Sequence, residues 1–119
     1  MTGKIRGKVL VIDMPQTLTK VDVGNYQTLA HQAGKVIRLG EKEIVLFKLS
    51  TGEVKAVENK SPHPKGGTLA DGLVSGSYVY CPLYDWKISL NDGKVQAPDE
   101  GQVKTYEVEV EDNRILLLI

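Results

Sequence analysis

The chain has 119 residues, fifteen Lys and Arg against fifteen Asp and Glu, 41% hydrophobic residues and one cysteine. That length suits one domain around one core. The balanced charge argues against nucleic acid or an anionic membrane as partner, since both need an excess of Lys and Arg. A lone Cys81 excludes an internal disulfide and a four-cysteine zinc site, and makes the cytoplasm the expected compartment.

Residues 1–18 read as an N-terminal extension, with the domain proper at 19–119. Within the extension, Lys8–Ile12 is either an edge strand or a flexible arm, and Met14-Pro15-Gln16 is a linker. The apolar run Val9–Ile12 is too short for a signal-peptide core, and no stretch approaches the ~20 residues of a membrane span. Asn25–Gln32 is expected to form a short helix, with Asn25 as its N-cap and Gly34 just past its end. His31 within it reads as a solvated surface residue.

The remainder points to strands. Val36–Leu39 is a first candidate. The run Glu43–Leu49 and the alternating Glu53–Val57 flank Ser50-Thr51-Gly52, which predicts a hairpin. Ser77–Cys81, Trp86–Leu90 and Lys94–Gln96 are shorter candidates, with a turn at Asn91-Asp92-Gly93. Tyr106, Val108 and Val110 alternate with Glu107 and Glu109, which puts apolar and acidic sets on opposite faces. Asp112-Asn113 then turns the chain into Arg114–Ile119. The expected class is all-β.

Two stretches break this rhythm. Asn59–Leu73 holds Pro62, Pro64, Gly66, Gly67 and Gly72, and Cys81-Pro82-Leu83-Tyr84-Asp85 forms a second loop. Long loops of this kind often carry function, and they mark a loop-bearing subdomain at about 59–98. Ser61 and His63 in the first loop and Cys81 and Tyr84 in the second resemble the Rieske pattern Cys-x-His … Cys-x-x-His. Ser61 and Tyr84 replace two of its ligands. A Rieske 2Fe-2S centre takes two thiolates and two imidazoles. A serine hydroxyl does not ionise near neutral pH, and a tyrosine does so only near pH 10. No cluster or other metal is therefore expected in this chain, and His63 and Cys81 would be the ligands if one were held. A mononuclear zinc site fares no better, since it wants four N or S donors. The loop has a second register: counted backward from Gly66-Gly67, His63 falls out of the ligand position.

Each residue also has a plainer reading. Cys81 at a strand end packs as a small hydrophobe. His63 between two prolines is an exposed loop residue, with no nucleophile beside it. Gly66-Gly67 lacks the helix and Lys-Ser/Thr pair of a phosphate loop. Trp86 is a core residue or an interface anchor, and Asp99-Glu100 is a solvated turn.

A wider resemblance rests on Cys81-Pro82-Leu83-Tyr84-Asp85-Trp86-Lys87-Ile88, on Asp92-Gly93-Lys94-Val95-Gln96-Ala97-Pro98-Asp99-Glu100-Gly101, and on Gly66-Gly67-Thr68-Leu69-Ala70-Asp71-Gly72. Over about 20–119 the chain resembles the small subunit of assimilatory NAD(P)H-dependent nitrite reductase. That resemblance implies a Rieske-like (ISP-type) domain of small antiparallel sheets with two Gly/Pro-rich loops at one tip. It implies a large subunit as partner, carrying FAD, siroheme and a 4Fe-4S cluster and reducing nitrite to ammonia in nitrate assimilation. This chain would be a cluster-free, non-catalytic subunit docked through Pro62, His63, Tyr84 and Trp86, with Tyr84 hydrogen-bonded across to the first loop. The alternatives are a Rieske-type 2Fe-2S ferredoxin acting as electron carrier, and a stand-alone β domain that binds a small ligand or another protein.

Overall fold

The structure is a computed structural model that describes residues 19–119, so the expectations for Lys8–Ile12 and Met14–Gln16 lie outside the described residues. The described chain contains strands and no helix, in keeping with the all-β class expected from the sequence. The strands are β1 (Lys20–Asn25), β2 (Gly34–Leu39), β3 (Lys42–Lys48), β4 (Val54–Glu58), β5 (Leu73–Ser75), β6 (Tyr78–Tyr80), β7 (Lys87–Ser89), β8 (Thr105–Glu111) and β9 (Arg114–Leu118). A six-stranded antiparallel sheet has the order β1-β9-β8-β4-β3-β2, and a three-stranded one has β5-β6-β7.

Strand β3 organises the core. Ile44, Val45, Leu46 and Phe47 are all fully buried, which an alternating strand achieves only when both of its faces are covered. Ile44 and Leu46 pack with Leu29, Ala56, Ile115 and Leu117. Val45 and Phe47 face the other way, onto Val57, Leu69, Val79, Cys81, Ile88 and Leu90. The second cluster is the floor on which the three-stranded sheet and both loops rest. At the start of β2, Gly34 lies so close under Ala70 that a Cβ there would strike its backbone carbonyl, and Val45 Cγ2 would stand 2.9 Å away. A side chain at that position would lift the first loop off the sheet.

The expected helix at Asn25–Gln32 does not form. Asn25 does cap a turn: its Oδ1 accepts the Gln27 N–H at 2.8 Å and the Thr28 N–H at 3.3 Å. The turn ends after the Leu29 N–H bonds the Tyr26 carbonyl, and Gln32 enters the left-handed region at φ +58°. The chain then runs beside β3, with the Gln32 N–H on the Lys48 carbonyl at 2.7 Å. One turn closed by few hydrogen bonds gains too little to propagate, and burial of Leu29 decides the path instead. The same crossing covers Lys48, whose ammonium donates to the Tyr26 carbonyl at 3.0 Å and lies 3.9 Å from the centre of that ring.

Other departures are smaller. Lys94–Gln96 makes only isolated bridges, Ile88 with Val95 and Lys94 with Gln102. Two strands, β1 and β5, were not anticipated. Tyr106 and Val108 pack against the first cluster as their alternation predicts, but Val110 runs past its end and is exposed.

Candidate functional site

The first loop is moored from below by Asn59, which is buried directly after β4. Its Oδ1 accepts the N–H groups of Leu69 and Ala70, both at 2.9 Å, and its Nδ2 donates to Glu43 Oε1 at 2.8 Å. That bond, joined by the Arg38 guanidinium, holds the Glu43 carboxyl below the usual carboxylate range. Above Asn59 the loop closes on itself. The Ser61 N–H donates to the Gly67 carbonyl and the Gly66 N–H to the His63 carbonyl, at 2.9 and 2.8 Å. His63 is held by its own N–H on Ser61 Oγ at 3.2 Å, and its Nδ1 accepts the Lys65 N–H at 3.0 Å.

The second loop is closed by the Cys81 N–H on the Trp86 carbonyl at 2.9 Å. Within it, Tyr84 and Asp85 have φ of +70° and +53°. Two consecutive non-glycine residues in the left-handed region cost energy, and such a backbone persists only where its surroundings hold it.

The two loops bring all four ligand-position residues together, in two pairs. Ser61 and Cys81 are each 1% exposed, and the Cys81 thiol donates to Ser61 Oγ at 3.0 Å. The rings of His63 and Tyr84 stack with centroids 3.9 Å apart and planes within 7°. Trp86 flanks His63 at 4.7 Å and 60°. Tyr84 therefore reaches the first loop through its ring, where the sequence suggested a hydrogen bond; among the described residues its hydroxyl makes none. His63 is half-buried between two aromatic rings, in place of the exposed position its flanking prolines suggest. Trp86 is half-buried on the second core cluster, and Pro62 lies beside Gly101. Tyr84 and Leu83 are the large hydrophobic side chains that the tip exposes, at 54% and 51%.

Three contributors escaped the sequence reading. Asn59 carried a weak signal, being a polar residue between a strand end and a loop. Leu83, whose Cδ1 would lie 3.4 Å from a Cβ at Gly67, carried none. Gly101, at φ +146°, runs so close to Pro62 that a Cβ there would lie 3.3 Å from the proline Cβ.

This donor set does not fit a Rieske cluster. Such a cluster needs two thiolates on one iron and two imidazoles on the other. The pair in the buried half is one thiol with one aliphatic hydroxyl, and the pair in the outer half is one imidazole with one phenol. His63 Nδ1 is already engaged by a backbone N–H. No group of three or more His, Cys, Asp and Glu side chains is placed to bind a metal among the described residues.

A family model described as "Rieske-like [2Fe-2S] domain" matches residues 20–117. The nitrite reductase [NAD(P)H] large subunit of Klebsiella oxytoca is 33% identical over 91 residues, and the match covers 73% of this chain but only 9% of that much longer protein. The ferredoxin component of the naphthalene 1,2-dioxygenase/salicylate 5-hydroxylase systems of Ralstonia sp. is 30% identical over 82 residues, 68% of this chain and 77% of the ferredoxin. The nitrite reductase (NADH) small subunit of Escherichia coli strain K12 is 25% identical, over 81% of this chain and 94% of its own length. Among solved structures, a Mycobacterium tuberculosis protein assigned as an NADH-dependent nitrite reductase small subunit superposes with a TM-score of 0.77. It is 24% identical, over 86% of this chain and 96% of that one, which speaks to fold alone.

Proposed function

The chain belongs to the Rieske-like [2Fe-2S] domain family, and from that premise we propose that it is a small, cluster-free subunit of an assimilatory nitrite reductase. In this reading it docks on the large subunit that reduces nitrite to ammonia with NAD(P)H. FAD, siroheme and the 4Fe-4S cluster belong to that partner, and this chain contributes no catalytic residue. Residues 19–119 form the docking domain, residues 1–18 its extension, and the complex works in the cytoplasm.

The observation that carries the reading is how the ligand positions are filled. Ser61 bonds Cys81, and His63 stacks on Tyr84. A redox carrier has no use for that arrangement, whereas a docking module tolerates it. The relatives point the same way. The stretch resembling this chain lies inside a protein named as a nitrite reductase large subunit, and the Escherichia coli relative is named as the small subunit. The docking surface is the loop tip, with Tyr84 as its outermost anchor and Pro62, His63 and Trp86 behind it. Aromatic anchors of this kind carry much of an interface's energy.

A second reading is a Rieske-type ferredoxin that carries electrons, favoured by the Ralstonia relative. Purification without oxygen, with iron and acid-labile sulfide assayed on the same sample, separates the two. A colourless, iron-free protein that co-elutes with a nitrite reductase large subunit supports the docking reading. A brown protein with about two irons per chain overturns it. Within the docking reading, Tyr84→Ala with Trp86→Ala is expected to weaken large-subunit binding at least tenfold. Unchanged binding would move the interface away from the tip.

A further inference from the structure

The two loops are joined in an unusual way. Each closes on backbone hydrogen bonds of its own: Ser61 to Gly67 and Gly66 to His63 in the first, Cys81 to Trp86 in the second. Among the described residues no backbone hydrogen bond runs from one loop to the other. What joins them is side chains: the Cys81 thiol on Ser61 Oγ and the ring of Tyr84 on that of His63, with Leu83 lying beside Gly67 and Trp86 flanking His63. The first two pairs fall on the ligand positions. A cluster bonded to ligands from both loops would tie them together covalently. Without it, something else must hold a loop that contains two successive left-handed, non-glycine residues.

We propose that the His63–Tyr84 stack and the Ser61–Cys81 hydrogen bond form a clasp that locks the two loops together in place of a cluster. The clasp also holds Tyr84 and Asp85 in their left-handed conformation. This rests on the cluster-free reading above. The stack is the stronger half. It joins two whole rings at van der Waals separation, beside the Trp86 ring. The buried half is a weak thiol donor on a hydroxyl that also accepts the His63 N–H.

The clasp makes each loop's stability depend on a side chain of the other. Native-state amide exchange on the full chain reads this directly at the Gly66 and Cys81 amides, since each is hydrogen-bonded within its own loop. Tyr84→Ala is expected to speed exchange at Gly66 roughly two- to tenfold, the range an aromatic pair provides. His63→Ala is expected to do the same at Cys81. The double variant should exceed neither single by much, because one contact cannot be lost twice. Tyr84→Phe keeps the ring and should stay close to the parent. If Tyr84→Ala does not fold, Tyr84→Leu, which keeps bulk without a ring, is read in its place. Opposite-loop amides that ignore these changes, or effects that simply add, overturn the clasp. Iron assayed on the parent sample keeps the two failures apart. Bound iron sinks the cluster-free reading, whereas an iron-free parent with uncoupled loops sinks the clasp alone.

Discussion

On one face of β3, Ile44 and Leu46 meet Ala56, Ile115 and Leu117 across strands paired by repeating backbone hydrogen bonds. On its other face, Val45 and Phe47 meet Leu69, Val79, Cys81 and Ile88, which hang from the small sheet and the two loops. Both faces exclude water equally well. They differ in what positions the residues that cover them. The ladder positions the first set, and any apolar side chain of fitting volume would serve there. Individual polar and aromatic groups position much of the second: Asn59 beneath Leu69, Ser61 against Cys81, His63 against Tyr84. Ligand positions above such a floor can change without emptying the core below them. Cys81 apart, the apolar layer comes from residues such as Leu69, Val79 and Ile88, and none of these is a ligand position.

Restoring the donor chemistry sharpens that comparison most. Ser61→Cys together with Tyr84→His supplies two thiols and two imidazoles at the four convergent positions. After anaerobic reconstitution with iron and sulfide, the double variant is expected to hold about two irons per chain. A variant that folds but takes up no iron would show that the loops do not present these positions together. Next in size, Phe47→Ala is expected to cost about 3–5 kcal/mol and Leu117→Ala about 2–5 kcal/mol, measured by urea unfolding. Both should melt in one transition, since β3 belongs to both clusters. A biphasic curve would break the picture of a shared strand.

Asn59→Ala leaves the buried N–H of Leu69 and the half-buried N–H of Ala70 without their acceptor. The expected loss is about 1–3 kcal/mol, with faster amide exchange at the first loop and little change in β8 or β9. The smallest effect concerns pH. Hydrogen bonds from Arg114 hold the Asp22 carboxyl below its ordinary range, those from Asn59 and then Arg38 do so for Glu43, and one from Lys20 does so for Glu109. Each group binds a proton more readily in the unfolded chain. Its stabilising effect is therefore present above the unfolded value of about 4 and is lost as pH falls through the folded one. The melting temperature should decline in acid below about pH 4. Asp22→Asn and Glu43→Gln should lower the melting temperature slightly at pH 7, where the charged form stabilises, and leave it nearly unchanged in acid, so the decline flattens.

Local signals made part of this molecule legible. The hydrophobic run Ile44–Leu49 with Thr51-Gly52 marks β3 and its turn into β4. The alternation around Val108 with Asp112-Asn113, whose φ of +49° and +66° suit a tight hairpin, marks β8 and β9. By contrast, β1 was hidden because Asp22 and Gly24 interrupt its pattern, and it exists through its pairing with β9 across a bulge at Ile115 and Leu116. The helix expected after it was a sound local reading of Asn25 as a cap, overridden by the burial of Leu29 and the crossing to Lys48.

At the loops, the amino-acid sequence by itself determined which chemistry is available: one thiol, one imidazole, one hydroxyl and one phenol at four spaced positions. Side-chain identity belongs to the residue, and no fold turns serine into a thiolate. Tertiary structure alone decided what those four groups do with one another. Stacking of His63 on Tyr84 and burial of Cys81 against Ser61 depend on distances between segments some twenty residues apart. Those distances are set by how the small sheet settles onto Val45 and Phe47, a packing outcome that no local pattern encodes.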